Sequence, residues 1–186
     1  RNNNQKLDQD DEPLAGVKYK GSYSWQTFPS DEQGQSVIYG VQSYQPQYLE
    51  VDTEELDNPF ISPLQAKYKI TSHPGGEVLL DIPFYDIFEV EGDIVQIKGE
   101  GVPIGRPGVP VQLIKGGEVV QQVTTEYDGY FLFDRVLPGH YQIELDPRYL
   151  SEKSLVQVSN KIIDINLNRN SDALVILEPM VLAIKE

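Results

Sequence analysis

Hydrophobic and polar residues alternate along much of the second half of the chain. Val109, Val111 and Leu113 are separated by single intervening residues, the period of two expected when one face of a strand is buried and the other is solvated. Turn sequences such as Asp128 and Gly129 separate this run from later ones that are rich in aromatic and β-branched residues. The four strands are predicted at 109–113, 119–125, 130–133 and 141–145. Four short strands at this spacing predict an antiparallel β-sandwich.

Weaker strand patterns cover most of the remaining sequence. The further strands are predicted at 17–28, 36–44, 65–70, 77–83, 155–158, 162–167, 173–177 and 180–184. Only the stretch from Asp52 to Leu56 predicts the start of a helix, which Asp52 or Thr53 would cap and Pro59 would end. The chain is therefore predicted to be nearly all β.

The 186 residues are enough for two small domains. Residues 1–13 are polar and acidic without periodicity, so they are expected to form a disordered linker. We expect one β-sandwich over 14–92 and a second over 93–186, joined near residues 91–97. An alternative is that the first 92 residues pack as extra strands on the second domain. The abrupt start at Arg1 is expected of a fragment or a mature segment.

The composition limits the chemistry and the partners expected of this chain. The chain has no cysteine, which excludes disulfides and thiolate chemistry. Its formal net charge of -14 disfavours binding to nucleic acid or to anionic membranes. No apolar run approaches the length of a membrane-spanning helix.

Three phrases of the second half carry a family resemblance. They are G-V-P-V-Q-L from Gly108, T-T-E-Y-D-G-Y-F-L-F from Thr124 and L-P-G-H-Y-Q-I-E-L from Leu137. Together they resemble the transthyretin-like (prealbumin-like) modules known as carboxypeptidase regulatory-like or collagen-adhesin B-type domains. The resemblance implies immunoglobulin-like or transthyretin-like β-sandwiches. It leaves the activity open, because such modules serve in stalks, peptidases, receptors and pilus assembly.

The first half carries a second resemblance. The run V-I-Y-G-V-Q-S-Y-Q-P-Q-Y-L-E-V-D-T-E-E-L begins at Val37, and S-H-P-G-G-E-V-L-L-D-I-P-F begins at Ser72. With the G-V-P-I-G element from Gly101 to Gly105, these runs look like the segment that follows the barrel in outer-membrane fimbrial ushers. That resemblance implies a C-terminal region on the periplasmic face of the outer membrane. The implied partners are chaperone–pilin subunit complexes or a neighbouring domain of the same chain, with membrane contact only through a barrel absent from this sequence.

Aromatic residues at turns and strand ends are the candidate partner contacts. We expect Tyr85, Phe88, Tyr127 and Tyr149 to remain partly exposed and to anchor a protein partner. The competing interpretation is that each of them packs in the core or against a neighbouring strand.

No catalytic site is predicted. His73 and His140 both lie beside turn residues and are expected to be exposed loop residues. Neither has the H-E-x-x-H spacing of a zinc site. The acidic pairs Glu54 with Glu55 and Glu89 with Glu91 match the carboxylate pairs of glycosidases only by residue type.

No cofactor or metal is predicted either. The segments Asp57–Asn58 and 166–170 lack the alternating pattern of a calcium loop. An isopeptide bond between Lys98 and Asn160 or Asn166, as in some collagen-adhesin B-type domains, is disfavoured. The inward position after Tyr141 and Ile143 is Leu145, whereas Glu144 would face outward.

The sequence therefore predicts a non-catalytic interaction or assembly module, most simply the periplasmic C-terminal part of an usher. Two alternatives remain open at this point: a structural stalk domain of a surface adhesin, and an accessory, carbohydrate-binding domain of an extracellular hydrolase. The last would need a row of exposed aromatics, for which Tyr19, Tyr23 and Trp25 are the candidates.

Overall fold

The computed structural model describes residues 11–23, 25–97, 101–158, 162–168 and 171–184. The chain is nearly all β and divides into two compact units, Arg1–Asp86 and Ile87–Glu186. The joint that we expected within 91–97 falls inside a single strand that continues to Gln96. In the part of the chain that the structure describes, no helix has the length and hydrophobicity needed to cross a membrane.

The first unit consists of short strands. They are β1 (Lys18–Lys20), β2 (Gln26–Thr27), β3 (Ile38–Tyr39), β4 (Gln47–Asp52), β5 (Ile61–Pro63), β6 (Lys67–Ile70) and β7 (Phe84–Asp86). A three-stranded antiparallel sheet has the order β1-β4-β6, while β2 pairs with β3 and β5 pairs with β7. The first unit therefore takes the form of one small sheet and two ribbons.

Trp25 lies in the small core of this unit. It is buried, as are Leu49 and Val51 of β4. Its indole Nε1 donates a hydrogen bond to Oε1 of Gln47 at 2.6 Å, so burial leaves its one polar atom satisfied. The ring lies so close to Gly21 that a Cβ there would come within 2.1 Å of it.

Four predictions for this unit are wrong or only partly right. The strand predicted at 17–28 is divided into β1 and β2, and only Ile38–Tyr39 of the strand predicted at 36–44 forms one. Residues 52–56 form no helix, because Asp52 ends β4 and its carboxylate instead accepts a turn hydrogen bond from the Glu54 N–H at 3.2 Å. Residues 77–83 form no strand, and the Pro83 carbonyl at their end accepts a backbone hydrogen bond from the Leu64 N–H at 3.1 Å. Leu79, in the middle of that stretch, is 92% exposed.

The second unit is a two-layered sandwich. Its elements are β8 (Phe88–Gln96), β9 (Ile104–Gly105), β10 (Pro110–Lys115), β11 (Glu118–Thr124), β12 (Tyr130–Val136), β13 (Gly139–Leu145), α1 (Pro147–Glu152), β14 (Leu155–Gln157), β15 (Ile163–Leu167), β16 (Leu174–Ile176) and β17 (Met180–Ile184). Sheet I has the order β11-β10-β13-β15. Sheet II has the order β12-β8-β17-β14, and β9 and β16 also pair with β8. The eight strands predicted for this half are confirmed.

The inner faces of the two sheets form one core. Alternate residues of β8, β10, β12 and β13 point into it, as the period-two pattern requires. Phe131 and Phe133 meet edge to face, with ring centroids 5.6 Å apart. The sandwich is mainly antiparallel, but β16 and β17 run parallel to β8.

The helix α1 was missed by the sequence prediction. Asp146 caps it by accepting a hydrogen bond from the Arg148 N–H at 2.8 Å, and Pro147 occupies the first turn. Both residues are standard signals for a helix start, so the one helix of the described chain lies at 147–152 and not at 52–56.

Candidate functional site

The structure separates the four predicted aromatic anchors. Tyr85 and Phe88 are buried, and Phe88, 3% exposed, belongs to the core of the second unit. Tyr149 lies on α1 and packs partly buried against that core. Tyr127, in the turn before β12, is 86% exposed. The expected exposure is therefore wrong for Tyr85 and Phe88, because both occupy inward positions of their strands.

Tyr127 has two exposed apolar neighbours on an adjoining segment. The loop that carries it meets β9 where Gly105 lies against Asp128, since a Cβ on Gly105 would come within 1.6 Å of the Asp128 carbonyl oxygen. Val102 and Ile104, beside Gly105, are both exposed. These apolar side chains therefore lie on two neighbouring segments, the turn before β12 and the segment that leads into β9.

Neither histidine lies in a catalytic arrangement. His73 is exposed and meets the Tyr44 ring edge-on at 5.3 Å. His140 is exposed but lies in β13, next to Asn166 of β15, and not in a loop as expected. Within the described ranges, no three His, Cys, Asp or Glu side chains come close enough to hold a metal ion.

The acidic pairs interact with neighbouring side chains. Glu55 pairs with Lys18, and Lys20 bridges Asp52 at 3.0 Å and Glu54 at 3.9 Å. The hydrogen bond from Lys20 lowers the pKa of Asp52 below its usual range. Glu54 and Glu55 lie in the turn that follows β4 and form surface ion pairs with lysines of β1.

Glu91 has a different partner. Its carboxylate accepts a hydrogen bond from the Tyr130 hydroxyl at 2.7 Å. This bond favours the neutral phenol, and with burial and the neighbouring carboxylates it raises the pKa of Tyr130 to about 12. Glu91 therefore orients a tyrosine on the outer face of sheet II.

The positions considered for calcium and for an isopeptide bond are only partly described. Asn58 Oδ1 accepts a hydrogen bond from the Phe60 N–H at 2.9 Å, which is a turn contact. Asn166 is exposed on β15, whereas Lys98 and Asn160 lie outside the described residues. Leu145 is buried, as predicted, and Glu144 lies on the opposite side of β13.

The outer face of sheet I is polar. Gln112 donates to Gln122 at 2.9 Å, and Gln142 donates to Asp164 at 3.1 Å. A concavity of about 370 Å³ lies at one end of this face. Its polar lining includes His140, Gln142, Asp164 and Asn166. Amide pairs of this kind satisfy one another and bind water well, so this face resembles an ordinary solvated sheet.

The outer face of sheet II mixes apolar and acidic residues. On β16, Leu174 is 40% exposed and Ile176 is 71% exposed. In the parallel register these residues lie opposite Glu89 and Glu91 of β8. We call the four of them the β16 patch.

The sequence prediction did not single out this patch. A signal was present, because the run from Ala173 to Leu177 is apolar at every position. A strand that is apolar on both faces either is buried on both or exposes one hydrophobic face. Since sheet II is an outer layer, the second case applies here.

Comparison with known proteins supports the fold of the second unit. The family model described as "BOS complex subunit NOMO1-like, second beta sandwich domain" matches residues 85–175, slightly less than half of the chain. No curated protein matches the chain.

Several solved structures resemble it weakly. The TIE protein of Bacillus anthracis is 13% identical with a TM-score of 0.37, and the match covers 93% of this chain and 32% of that one. The minor pilin GBS52 of Streptococcus agalactiae is 13% identical with a TM-score of 0.36, covering 95% and 87%. The major pilin SpaD of Corynebacterium diphtheriae is 12% identical with a TM-score of 0.37, covering 94% and 57%. The chain thus spans about a third of the TIE protein, and these likenesses do not define a function.

Proposed function

We propose that this chain is a non-catalytic β-sandwich segment of a larger extracytoplasmic protein, and that it acts by binding other proteins. The observation that carries the proposal is the β16 patch, an exposed apolar strand flanked by carboxylates on an otherwise well-packed sandwich. Exposed apolar residues rimmed by polar groups are typical of protein interaction sites.

The family model supports a role within a larger assembly. Its description names a second β-sandwich domain of a complex subunit, so the parent protein of that family has at least two such domains and works in a complex. The contacts of the carboxylates favour a non-catalytic role. Glu91 accepts a hydrogen bond from Tyr130, and Asp52 forms an ion pair with Lys20. Function in such a module resides in its surface.

Within this class, the finer proposal is the periplasmic C-terminal region of an outer-membrane usher, with chaperone–subunit complexes as its partners. Two of the usher-like phrases support it. Y-L-E-V-D lies in β4, and Gly75 has the positive φ of a turn, +70°. The D-I-P phrase, Asp81 to Pro83, departs from the pattern because it lies outside any strand.

The cellular test is an immunoblot of native cell fractions with an antibody to this segment, run with and without heating in detergent. We expect a large, heat-modifiable band in the outer-membrane fraction if the parent is an usher. A band that external protease removes from intact cells, or that is released into the medium, would contradict the usher and favour a stalk or a secreted protein.

Protein binding is tested separately by site-specific photocrosslinking in the same cells. A photoreactive residue is placed at Ile176, at Tyr127 or, as a control on the polar face, at Gln122. Adducts of defined mass from Ile176 or Tyr127, with none from Gln122, are expected. If no position gives an adduct, the chain does not act by binding proteins.

A further inference from the structure

The strand β16 has one paired edge and one free edge. It pairs with β8 in parallel register, and the Glu89 N–H donates to the Ala173 carbonyl at 2.8 Å while the Leu177 N–H donates to the Glu91 carbonyl at 2.9 Å. In such a ladder the N–H and C=O of Val175 face β8. The N–H and C=O groups of Leu174 and Ile176 therefore point away from it, and no described residue pairs with them.

The strand is held firmly from the inside. Val175 and Leu177 pack against the core of the second unit. Leu177 lies so close to Gly92 that a Cβ on that glycine would be 3.2 Å from the leucine Cβ. The free edge is thus a fixed row of donors and acceptors, which is the template required for the addition of another strand.

The side chains beside this edge follow a distinct charge pattern. The outward positions 172, 174, 176 and 178 read Asp, Leu, Ile, Glu, and all four are exposed. Glu89 and Glu91 lie next to the two apolar residues on β8. Among the strand residues of sheet II, Arg135 is the one lysine or arginine. A segment that docks here meets apolar side chains between negative charges.

We propose that the free edge of β16 binds an extended segment of a protein partner by antiparallel strand addition, and that alternate residues of this segment are basic, apolar, apolar and basic. The backbone of Leu174 and Ile176 would supply the hydrogen bonds. The carboxylates of Asp172 and Glu178 would select the basic ends. This inference rests on the proposed protein-binding function and specifies its site and partner chemistry.

A second copy of the chain does not fit this edge. If two β16 strands paired antiparallel about Val175, Leu174 would lie opposite Ile176, and Asp172 would lie opposite Glu178. Carboxylates directly opposite one another destabilise a strand pair. The charge pattern therefore favours a different, basic partner over self-association.

The outer strands of sheet I are less suited to this role. On β11, the Gln121 side chain donates to the Asp134 carbonyl at 3.0 Å and so ties this strand to β12. On β15, the exposed side chains include Asp164 and Asn166, which offer no apolar contact. Val119 and Val120 of β11 are exposed as well. What distinguishes β16 from β11 is the carboxylate on either side of its apolar residues, Asp172 and Glu178.

The probe is a synthetic peptide, Lys-Thr-Val-Thr-Val-Thr-Lys, titrated into the full-length chain labelled with ¹⁵N. We expect saturable shifts in the amide resonances of residues 172–178. The amides of Leu174 and Ile176 should also be protected from hydrogen exchange when the peptide is bound. The matched control is the peptide with glutamate at both ends, which should not bind. Peptide shifts confined to other strands, or equal binding of both peptides, would overturn the proposal.

Two substitutions test the edge directly. Ile176→Pro removes the outward N–H and leaves the pairing of Val175 with β8 in place, while Ile176→Lys adds a repelling charge. Each should weaken peptide binding at least about tenfold, a change of about 1.4 kcal/mol in binding free energy. Val120→Lys, on the exposed part of β11, is the control and should leave binding unchanged. Unchanged thermal unfolding of each variant shows that the fold is retained.

The outcomes separate this inference from the proposed function. If crosslinking in cells yields adducts but the basic peptide does not bind at β16, protein binding stands and the assigned edge is wrong. If the peptide binds at β16 but no cellular adduct forms at any position, the edge is competent and the proposed function fails.

Discussion

Gly129 occupies a backbone position in which a side chain meets two separate obstacles. Its φ is +91°, and a Cβ would come within 2.3 Å of the Ile94 carbonyl oxygen. Gly129→Ala should therefore destabilise the second unit by about 2–5 kcal/mol, combining about 1–2 kcal/mol for the left-handed backbone with about 1–3 kcal/mol for overpacking. Urea unfolding followed by circular dichroism measures this loss.

Gly116→Ala is the matched control for that substitution. Its φ is +60°, but nothing lies within 4 Å of the added Cβ. We expect only the backbone cost, about 1–2 kcal/mol. If the two variants lose the same free energy of unfolding, the chain around Ile94 moves away from the added Cβ at no cost in stability.

Tyr130 should be an unusually weak acid. Its pKa is raised from 10.0 to about 12 because its hydroxyl donates to Glu91. The folded form holds the proton more tightly than the unfolded chain, so this contribution to stability is fully present below pH 10. It is lost as the pH rises from 10 to about 12.

Ultraviolet titration of the tyrosines, with Tyr130→Phe subtracted, measures this pKa. Glu91→Gln removes the carboxylate that favours the protonated phenol, so the pKa of Tyr130 should fall toward 10. A pKa that does not move on this substitution would mean that burial and the other carboxylates, Glu89 and Asp93, cause the shift.

At the residue scale, turns were easier to predict from the sequence than exposure. The Asp128–Gly129 turn could be predicted, because few residues other than glycine adopt the positive φ that this turn needs. Phe88 was expected at the surface, but it lies on the inward face of β8 together with Val90, while Glu89 between them lies on the outward face. The alternation F-E-V-E was a usable signal for burial, and proximity to a turn was not.

At the scale of elements, Thr125 connects the end of β11 to the segment before β10. Its Oγ1 accepts a hydrogen bond from the Val109 N–H at 2.9 Å and donates one to the Arg106 carbonyl at 2.7 Å. Thr125→Val keeps the shape but leaves a buried donor and acceptor unpaired. The substitution should cost about 1–3 kcal/mol of unfolding free energy. Thr124→Val, exposed on β11, should change stability by less than about 0.5 kcal/mol.

If the Thr125 and Thr124 variants unfold at the same urea concentration, water replaces the lost hydrogen bonds and Thr125 does not hold these elements together. Amide exchange at Val109 provides a second measurement. Its N–H should exchange faster in Thr125→Val, because its acceptor has been removed.

Strong periodicity with a partner strand did not always lead to a correct prediction, because β8 alternates regularly and pairs with β12 but was not predicted. The runs that became β10 and β13 alternate clearly and pair with each other, whereas β11 and β12 alternate less regularly and pair with β10 and β8. Residues 78–80 are also apolar but pair with no strand of the described chain, and tertiary pairing decides whether such a run becomes a strand. The helix was predicted at the wrong aspartate for a similar reason, since Asp52 is paired with Lys18 within β4, whereas Asp146 follows the end of β13 and precedes Pro147.

At the scale of the whole molecule, the two units differ in the size of their cores. The buried apolar residues of the first unit are Val17, Trp25, Leu49, Val51 and Tyr85. The second unit has a continuous core contributed by both of its sheets. Because stability scales with buried apolar surface, the first unit should unfold at a lower urea concentration.

Trp25 makes this difference measurable without dividing the chain. It is the single tryptophan, and it is buried in the first unit, so its fluorescence reports that unit alone. The second unit contributes most of the long strands and therefore dominates far-ultraviolet circular dichroism. We expect the fluorescence transition to precede the main dichroism transition. Leu49→Ala should move only the fluorescence transition to a lower urea concentration, and Val90→Ala only the dichroism transition. Each truncation of a buried side chain should lower the free energy of unfolding of its unit by about 1–4 kcal/mol. Coincident transitions in the unaltered chain, moved together by either substitution, would mean instead that the two units unfold as one cooperative body.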